Sequence, residues 1–532
     1  ADRDRRHRSN ELRTLDWCVV NHAQFHGSAP VTCHGGRSLL ALPSSADRLA
    51  WTLVGIIAVL YFFGLTPGHV FAQDDFAAYV MHAGNLVEGR PYTQIHYLTN
   101  PEAPWISPAN GYPPAYPLLL APVYWRWGMN LRLMKAVTVA TFAIFLTIFA
   151  LWVRPLLSAR QRIAAVALVG LSPAFWSYRD LISSEFPYLM ISFLALLAIR
   201  RAHSDRKQDE WRPKWAVVVA LLMYAAYATR TIGIALPIAF VIAELQVRRR
   251  LSRFALLTIS ILGGCVLLQA ALLTSPTGYV SAAHITLGSV ARNAWFYTKS
   301  LTYTWQNGFS KPVQVVLAFF LTGFAGLAFA QRIRRGASVD VCYLLAYVAI
   351  LFAWGAQIGI RGLLPILPVY LTYILLGMSD VCARLGNRTK LSFLAVTVAC
   401  LLVTYAGSLR LRPWQDSMAN VQDAPAQELF SFIRAQTSPT DLLVFSKPRS
   451  IALFTGRPTT SLGPDESASN SAEFLKRTRA KFLIQTAWNP PAYGRLLASA
   501  PETLTEVFRN RDFQVFRIGP ANTNQTARAG IR

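Results

Sequence analysis

Apolar stretches separated by short polar loops constrain this chain more than any other feature. Eleven such runs stand at 51–66, 131–153, 163–178, 186–199, 215–229, 232–246, 254–274, 312–330, 338–358, 362–378 and 391–409. An apolar run of about 20 residues matches the hydrocarbon thickness of a bilayer. The loops RPLLSARQR (154–162), RRAHSDRKQDEWRPK (200–214), RRRLSR (248–253), QRIRR (331–335) and ARLGNRTK (383–390) are all basic. They fall on alternate sides of successive runs, as a single cytoplasmic face requires. The opposite, outer face then holds 67–130, 179–185, the turn at Arg230, 275–311, the turn at Arg361 and everything after 410.

This placement settles how the formal net charge of +25 is read. On a soluble chain it would point to nucleic acid. Here Lys and Arg sit mainly between apolar runs and set orientation, so membrane lipids are the expected surroundings and no nucleic-acid partner is expected. The six cysteines form no CxxC pair, and the last hundred residues contain none, which supports neither a zinc motif nor a disulfide framework.

Residues 1–50 open with ADRDRRHRSN and read as a basic, disordered cytoplasmic tail. The run from Trp51 reads as an uncleaved signal anchor. YPPAYPLLLAPVYW (112–125) is apolar too, but a crossing there would invert every later basic loop. Its four prolines weaken a straight helix, and it is read as interfacial or re-entrant. After 410 the character changes. QELFSFIRAQ reads as an amphipathic helix, and DLLVFS (441–446), FLIQT (482–486) and FQVFRI (513–518) read as strands. The expected fold is an all-α polytopic membrane protein of about 11 transmembrane helices (51–409), with a small C-terminal α/β extracytoplasmic domain (410–532).

Charged residues gather at the outer ends of the spans. Asp74 and Asp75 follow the first; Arg179, Asp180 and Glu185 lie in SYRDLISSEFPY; Arg230 and Arg361 occupy later turns. A charge at mid-membrane costs about 2.5–3.5 kcal/mol on insertion scales. Several on one face therefore mark a polar cavity with a function. Carboxylates can act as general bases toward a hydroxyl. Arginines grip phosphate by charge-assisted bonds. Together they suit an acceptor hydroxyl attacking a sugar carbon while a lipid phosphate leaves.

The order of motifs resembles the GT-C superfamily of polytopic glycosyltransferases. QDDFAAYVMHAGNLVEGRPY (73–92) is similar to the family's acidic first outer loop, and NGYPPAYPLLLAP (110–122) to its Y-P-P-L-Y-P segment. SPAFWSYRDLISSEFPYLMISFLALLAI (172–199) is similar to its second acidic loop, and RGLLPILPVYL (361–371) to its R-Y-L-L-P-L-L-P. SKPRSIALFTGR (446–457) fits the C-terminal domain of bacterial members. The resemblance implies a polyprenyl-phosphate sugar donor, a lipid or glycan acceptor, and a site on the outer face of a bacterial inner membrane. It implies catalytic Asp74, Asp75 and Glu185, with Asp74 as base, and Arg230 and Arg361 on the phosphate. Lys447 and Arg457 would reach the headgroup, and Tyr112 and Tyr116 would stack on sugar. No WWDYG is present, which argues against an oligosaccharyltransferase, and GYPPAYP replaces the HPP of protein O-mannosyltransferases.

Simpler readings stand beside these. Asp74 or Asp75 could cap the helix that follows. Glu185 could pair with Arg179, with Asp180 structural. The arginines could snorkel to the interface. His69, His82 and His96 lack ligand spacing and read as loop polarity. The sequence requires no cofactor, though a divalent metal could assist. A transporter or flippase of lipid-linked sugars would need the same cavity without a base.

Overall fold

A computed structural model describes residues 45–100, 112–204, 213–273, 286–305, 311–336, 338–355, 357–384, 387–410, 419–499 and 501–519. The tail before Ser45, including Cys18 and Cys33, and positions 110–111 of the tyrosine–proline motif lie outside them. Each of the eleven apolar runs lies mostly on helix, and among the described residues before 410 three further helices (Asp75–Glu88, Ala115–Trp127 and Leu287–Thr302) lie outside them. The helices include α1 (Ser45–Phe63), α2 (Asp75–Glu88), α3 (Ala115–Trp127), α4 (Leu131–Val153), α5 (Ala159–Gly170) and α6 (Glu185–Ser204). They continue with α7 (Pro213–Thr229), α8 (Ala235–Arg248), α9 (Arg253–Leu272), α10 (Leu287–Thr302) and α11 (Lys311–Arg334). The helical part closes with α12 (Val339–Ala353), α13 (Leu367–Val381) and α14 (Asn387–Arg410).

Among the described residues, four helical stretches are long and apolar enough to cross a membrane by themselves: α4, Thr231–Arg248, α9 and α11. Shorter apolar helices (α7, α12 and α13) accompany them, and the chain is a multi-pass membrane protein. The helices meet closely where side chains permit it. A Cβ on Gly377 of α13 would stand 1.9 Å from the Phe324 carbonyl oxygen of α11, so these two helices touch backbone to backbone. Two expected runs are interrupted. The third breaks after Gly170 into a single turn, Pro173–Trp176, and the tenth is split into Ile360–Leu363 and α13.

The prolines of 112–125 do not prevent a helix. Pro114 sits at its N-cap and Pro117 in its first turn, where a missing N–H costs nothing, and only Pro122 is interior. The 13-residue α3 is about 20 Å long, short of a hydrocarbon core of about 30 Å. It packs along α2, and the two helices form a helical hairpin at one end of the bundle.

The C-terminal domain holds α15 (Ala424–Gln436), β1 (Leu443–Val444), α16 (Pro448–Thr455), β2 (Thr459–Thr460) and α17 (Ala468–Thr478). It continues with β3 (Phe482–Gln485), α18 (Pro491–Ser499), β4 (Leu504–Arg509) and β5 (Gln514–Ile518). The sheet order is β2-β1-β3-β5-β4, parallel between β1 and its neighbours and antiparallel among β3, β5 and β4. The three expected strands are present in shortened form. The strands β2 and β4 were not expected, because two residues carry no period and LTEVFR alternates weakly.

Strand alternation splits the sheet's side chains between two cores. Leu443, Phe482 and Ile484 face one, while Val444 and Leu483 face the other. The first core is shared with the hairpin: Phe71, Phe76, Tyr79 and Tyr116 pack in it with Phe430, Phe445 and Phe513. Backbone contacts reinforce the join. Val70 bridges Asn420, and Tyr97 bridges Thr459 beside β2. Gly68 lets Asn420 approach closely here, since a Cβ would lie 1.9 Å from Asn420 Oδ1.

Candidate active site

The site assembles at the end of the bundle where the hairpin meets the C-terminal domain. Asp75 opens α2 and Glu185 opens α6, positions where a helix dipole favours a carboxylate. Arg230 lies in the break after α7, and Arg361 in the short turn before α13. Four distant segments therefore bring four charged groups to one place.

These groups form a chain of alternating sign. Arg361 Nη1 is 2.6 Å from Asp75 Oδ2, and its Nε donates to Glu185 Oε1. Arg230 Nη1 donates to the same Glu185 oxygen and also to Ser184 Oγ at 3.2 Å. On the other side Asp75 Oδ1 accepts from the Tyr112 hydroxyl at 2.5 Å and from Arg449 Nη1 at 3.4 Å. Glu185 is fully buried and its Oε2 has no partner among the described residues. Its expected partner Arg179 instead covers Trp176, and Asp180 pairs with buried Lys135 at 2.7 Å.

Asp74 does something the sequence did not announce. It caps neither its own helix nor a loop. Its Oδ1 accepts from the Ser450 amide (2.7 Å) and hydroxyl (2.6 Å), and its Oδ2 from the Arg449 amide (3.0 Å). It is thus the N-terminal cap of α16, supplied in trans from 375 residues away. Burial raises the Asp74 carboxyl above its usual range, against the pull of Arg449, Ser450 and Lys447. Asp75 is opposite: burial works against its charge, but Arg361, Arg449 and the Tyr112 hydroxyl outweigh that and hold it well below the usual range.

A cavity of about 470 Å³ opens over this cluster, within the size range of small-molecule sites. Asp75, Arg361, Lys447 and Arg449 line it with Tyr178 and Gln357. Lys447 donates to the Ala72 carbonyl at 3.2 Å, and burial lowers its ammonium from its ordinary value despite Asp74 and Asp75 nearby. Glu185 and Arg230 stand behind Arg361 rather than on the cavity wall.

Two expected ligands lie elsewhere. Arg457 is spent on the Thr437 hydroxyl and on the carbonyls of Arg434, Thr437 and Thr455, where it ties down the end of α15. Tyr116 is buried in the shared core with its hydroxyl 2.6 Å from Thr138 Oγ1. Both lie in segments that resemble the family's, and their side chains are taken up by packing. Tyr112 is at the site, but through its hydroxyl. Arg449 was missed, although it sits in the quoted SKPRS segment; its guanidinium lies over Tyr97 (4.8 Å) and Tyr112 (5.3 Å). The turn into α16 brings Lys447 and Arg449 to the cavity and leaves Arg457 off its wall.

His69 and His82 are buried structural groups. His69 stacks on Phe76, with Nδ1 3.0 Å from the Val70 carbonyl and Nε2 accepting from the Ile182 amide at 3.1 Å. Among the described residues no three His, Cys, Asp or Glu side chains gather as a metal site. The carboxylates are separated by guanidiniums.

No family model matches the chain, and no curated protein sequence does. Solved structures match over most of its length. ArnT from Cupriavidus metallidurans bound to undecaprenyl phosphate is 15% identical, with a TM-score of 0.51, covering 90% of this chain and 100% of its own. Its apo state gives 14% and 0.54 over the same shares. AglB from Archaeoglobus fulgidus, in complex with an inhibitory peptide and a dolichol-phosphate, gives 13% and 0.55, covering 83% of this chain and 70% of its own. At these identities the likeness is one of fold, and both ArnT and AglB are GT-C glycosyltransferases. The protein shares the fold of ArnT and AglB.

Proposed function

We propose that the chain is an integral-membrane glycosyltransferase. It moves a sugar from a polyprenyl-phosphate donor to an envelope acceptor (a glycolipid, lipopolysaccharide or glycan) on the outer face of the inner membrane. The observation that carries this reading is a cavity where Asp75 is held among three cations, Arg361, Arg449 and Lys447, with Asp74 beside it. Cations placed like this suit a leaving phosphate. The ArnT structure holds undecaprenyl phosphate and the AglB structure a dolichol-phosphate, which supports a lipid phosphate here.

The acceptor oxygen forms a bond to the anomeric carbon as the bond from that carbon to the phosphate oxygen breaks. The acceptor proton passes to a carboxylate, and the polyprenyl phosphate departs with the electron pair. Asp75 suits the base better than Asp74, whose oxygens are taken by the start of α16. Arg361 and Arg449 pair with the Asp75 carboxylate. A donor phosphate competes for those same guanidiniums and leaves Asp75 a stronger base when donor is bound. Glu185 and Arg230 hold Arg361 in place from behind.

Purified protein in nanodiscs, offered a panel of radiolabelled polyprenyl-phosphate sugars with envelope glycolipids, tests the reading. Release of free polyprenyl phosphate by the wild type and not by Asp75→Asn is expected. Donor binding with no release from any donor would sink the transferase and favour a transporter.

A further inference from the structure

A second cavity, about 620 Å³, lies in the C-terminal domain away from the acidic cluster. Its floor is built by register. Gln485 of β3 pairs with Gln514 of β5, which pairs in turn with Arg509 of β4. Three planar polar side chains therefore stand in a row across three neighbouring strands. Trp488, just beyond β3, forms one wall, and Asn510 and Asp423 complete the polar rim.

Only a thin partition separates this cavity from the reaction site. Trp488 packs on Phe71 at 5.9 Å, and the next residues of that strip, Ala72 to Asp75, line the catalytic cavity. Ser446, also on the catalytic wall, donates to Asn489 Oδ1 at 2.6 Å. The same oxygen accepts from Thr486 at 3.0 Å, and Thr486 lines the second cavity. The hydrogen bonds of Asn489 so join the walls of the two cavities.

An indole face beside planar amide, carboxylate and guanidinium groups is the chemistry of carbohydrate. Paired sugar hydroxyls accept and donate to planar groups two at a time, while the C–H face of a pyranose stacks on an aromatic ring. The acids and bases here are mixed: Arg509 pairs with Glu506 at 2.5 Å and Arg511 with Asp512 at 3.0 Å. A strongly anionic ligand would meet no excess of positive charge. We infer that this cavity is a carbohydrate subsite, which holds a sugar of an oligosaccharide acceptor beyond the one that reacts. Its role as an acceptor subsite rests on the transferase reading; its binding of glycan does not.

The test is a glycan array of lipopolysaccharide-core, O-polysaccharide and capsular oligosaccharides, with single sugars as controls. It is probed with the fluorescently labelled full chain in nanodiscs. Oligosaccharide binding is expected to fall at least tenfold in Trp488→Ala and in Gln514→Ala, and to persist in Asp75→Asn. Because Trp488 also packs on Phe71 and Phe513, Gln514→Ala, near the surface, guards against a folding artefact. Absence of oligosaccharide binding, or binding unchanged in Gln514→Ala and Trp488→Ala, would overturn the subsite. Donor turnover on the same samples reports separately on the transferase reading.

Discussion

Arg361 Nη1 stands 2.6 Å from Asp75 Oδ2, although 286 residues of chain separate the two. The pair lies at the junction of the hairpin, the bundle and the C-terminal domain. It gives the two neighbouring aspartates different duties, since Asp75 is paired with the Arg361 guanidinium while the closest partners of Asp74 are the amides and hydroxyl at the start of α16.

Those duties separate under substitution. Asp75→Asn should lower turnover by about 10²–10⁴-fold, the range of a lost general base, with donor binding retained. Asp74→Asn should instead lower stability by about 1–2 kcal/mol, as a lost helix cap does. Thermal denaturation in detergent beside the release assay checks both. Equal turnover loss with no stability loss for Asp74→Asn would reverse the assignment.

Arg361→Lys keeps the charge and should still fail. One guanidinium reaches Asp75 and Glu185 together, and an ammonium cannot span both. A lost charge-assisted bond of about 1.5–3 kcal/mol corresponds to a 10- to 100-fold rise in the donor Kd. Binding of the lipid phosphate, measured directly, reads this out; wild-type affinity in the lysine variant would remove Arg361 from the phosphate.

Backbone conformation aims Arg361. Gly359 has φ 62° and ψ −147°, a region open essentially to glycine alone. Gly359→Ala should cost about 1–3 kcal/mol and weaken donor binding, because Arg361 follows two residues later. Gly55→Ala, in α1 with open space around its Cβ position, should leave both unchanged.

Acid should destabilise the hairpin through two histidines. Burial, with Lys135 nearby, holds His69 down to about 3, and burial holds His82 down to about 4. Both lie below the unfolded value of about 6.5. Between those limits the unfolded chain binds more protons, so stability falls as pH drops below about 6.5. From pH 7 to 5 each histidine contributes a loss of about 2 kcal/mol. His69→Gln should flatten part of the slope of Tm against pH, and an unchanged slope would mean that the fold does not shift the titration of His69.

Much of this was legible in the sequence for physical reasons. Apolar length and loop charge are one-dimensional signals, so α4 appears at the residues where its run begins and ends. The convergence of Asp75, Glu185, Arg230 and Arg361 was also readable, because alternation places span ends on a common face. What could not be read was partnership. Which of Asp74 and Asp75 pairs with Arg361 and which caps α16 depends on one helical step and on α16 arriving from the far end of the chain. Arg449 and Arg457 are alike in sequence, and only the packing of α15 takes one of them away. β2 is too short to carry a period, and its place is fixed by the bridge to Tyr97.

The cap that Asp74 places on α16 has a consequence for how such proteins can diversify. A helix start in the C-terminal domain is completed by a residue of the first loop, so neither part is a free module. A C-terminal domain grafted from a relative would arrive with its own helix start, which must present two amides and a hydroxyl to the same carboxylate. Where it does not, Asp74 is left as a buried, unpartnered charge beside the reaction site. Changes of acceptor are then confined to surfaces that leave this seam intact, and the sheet end around Trp488 is one of them.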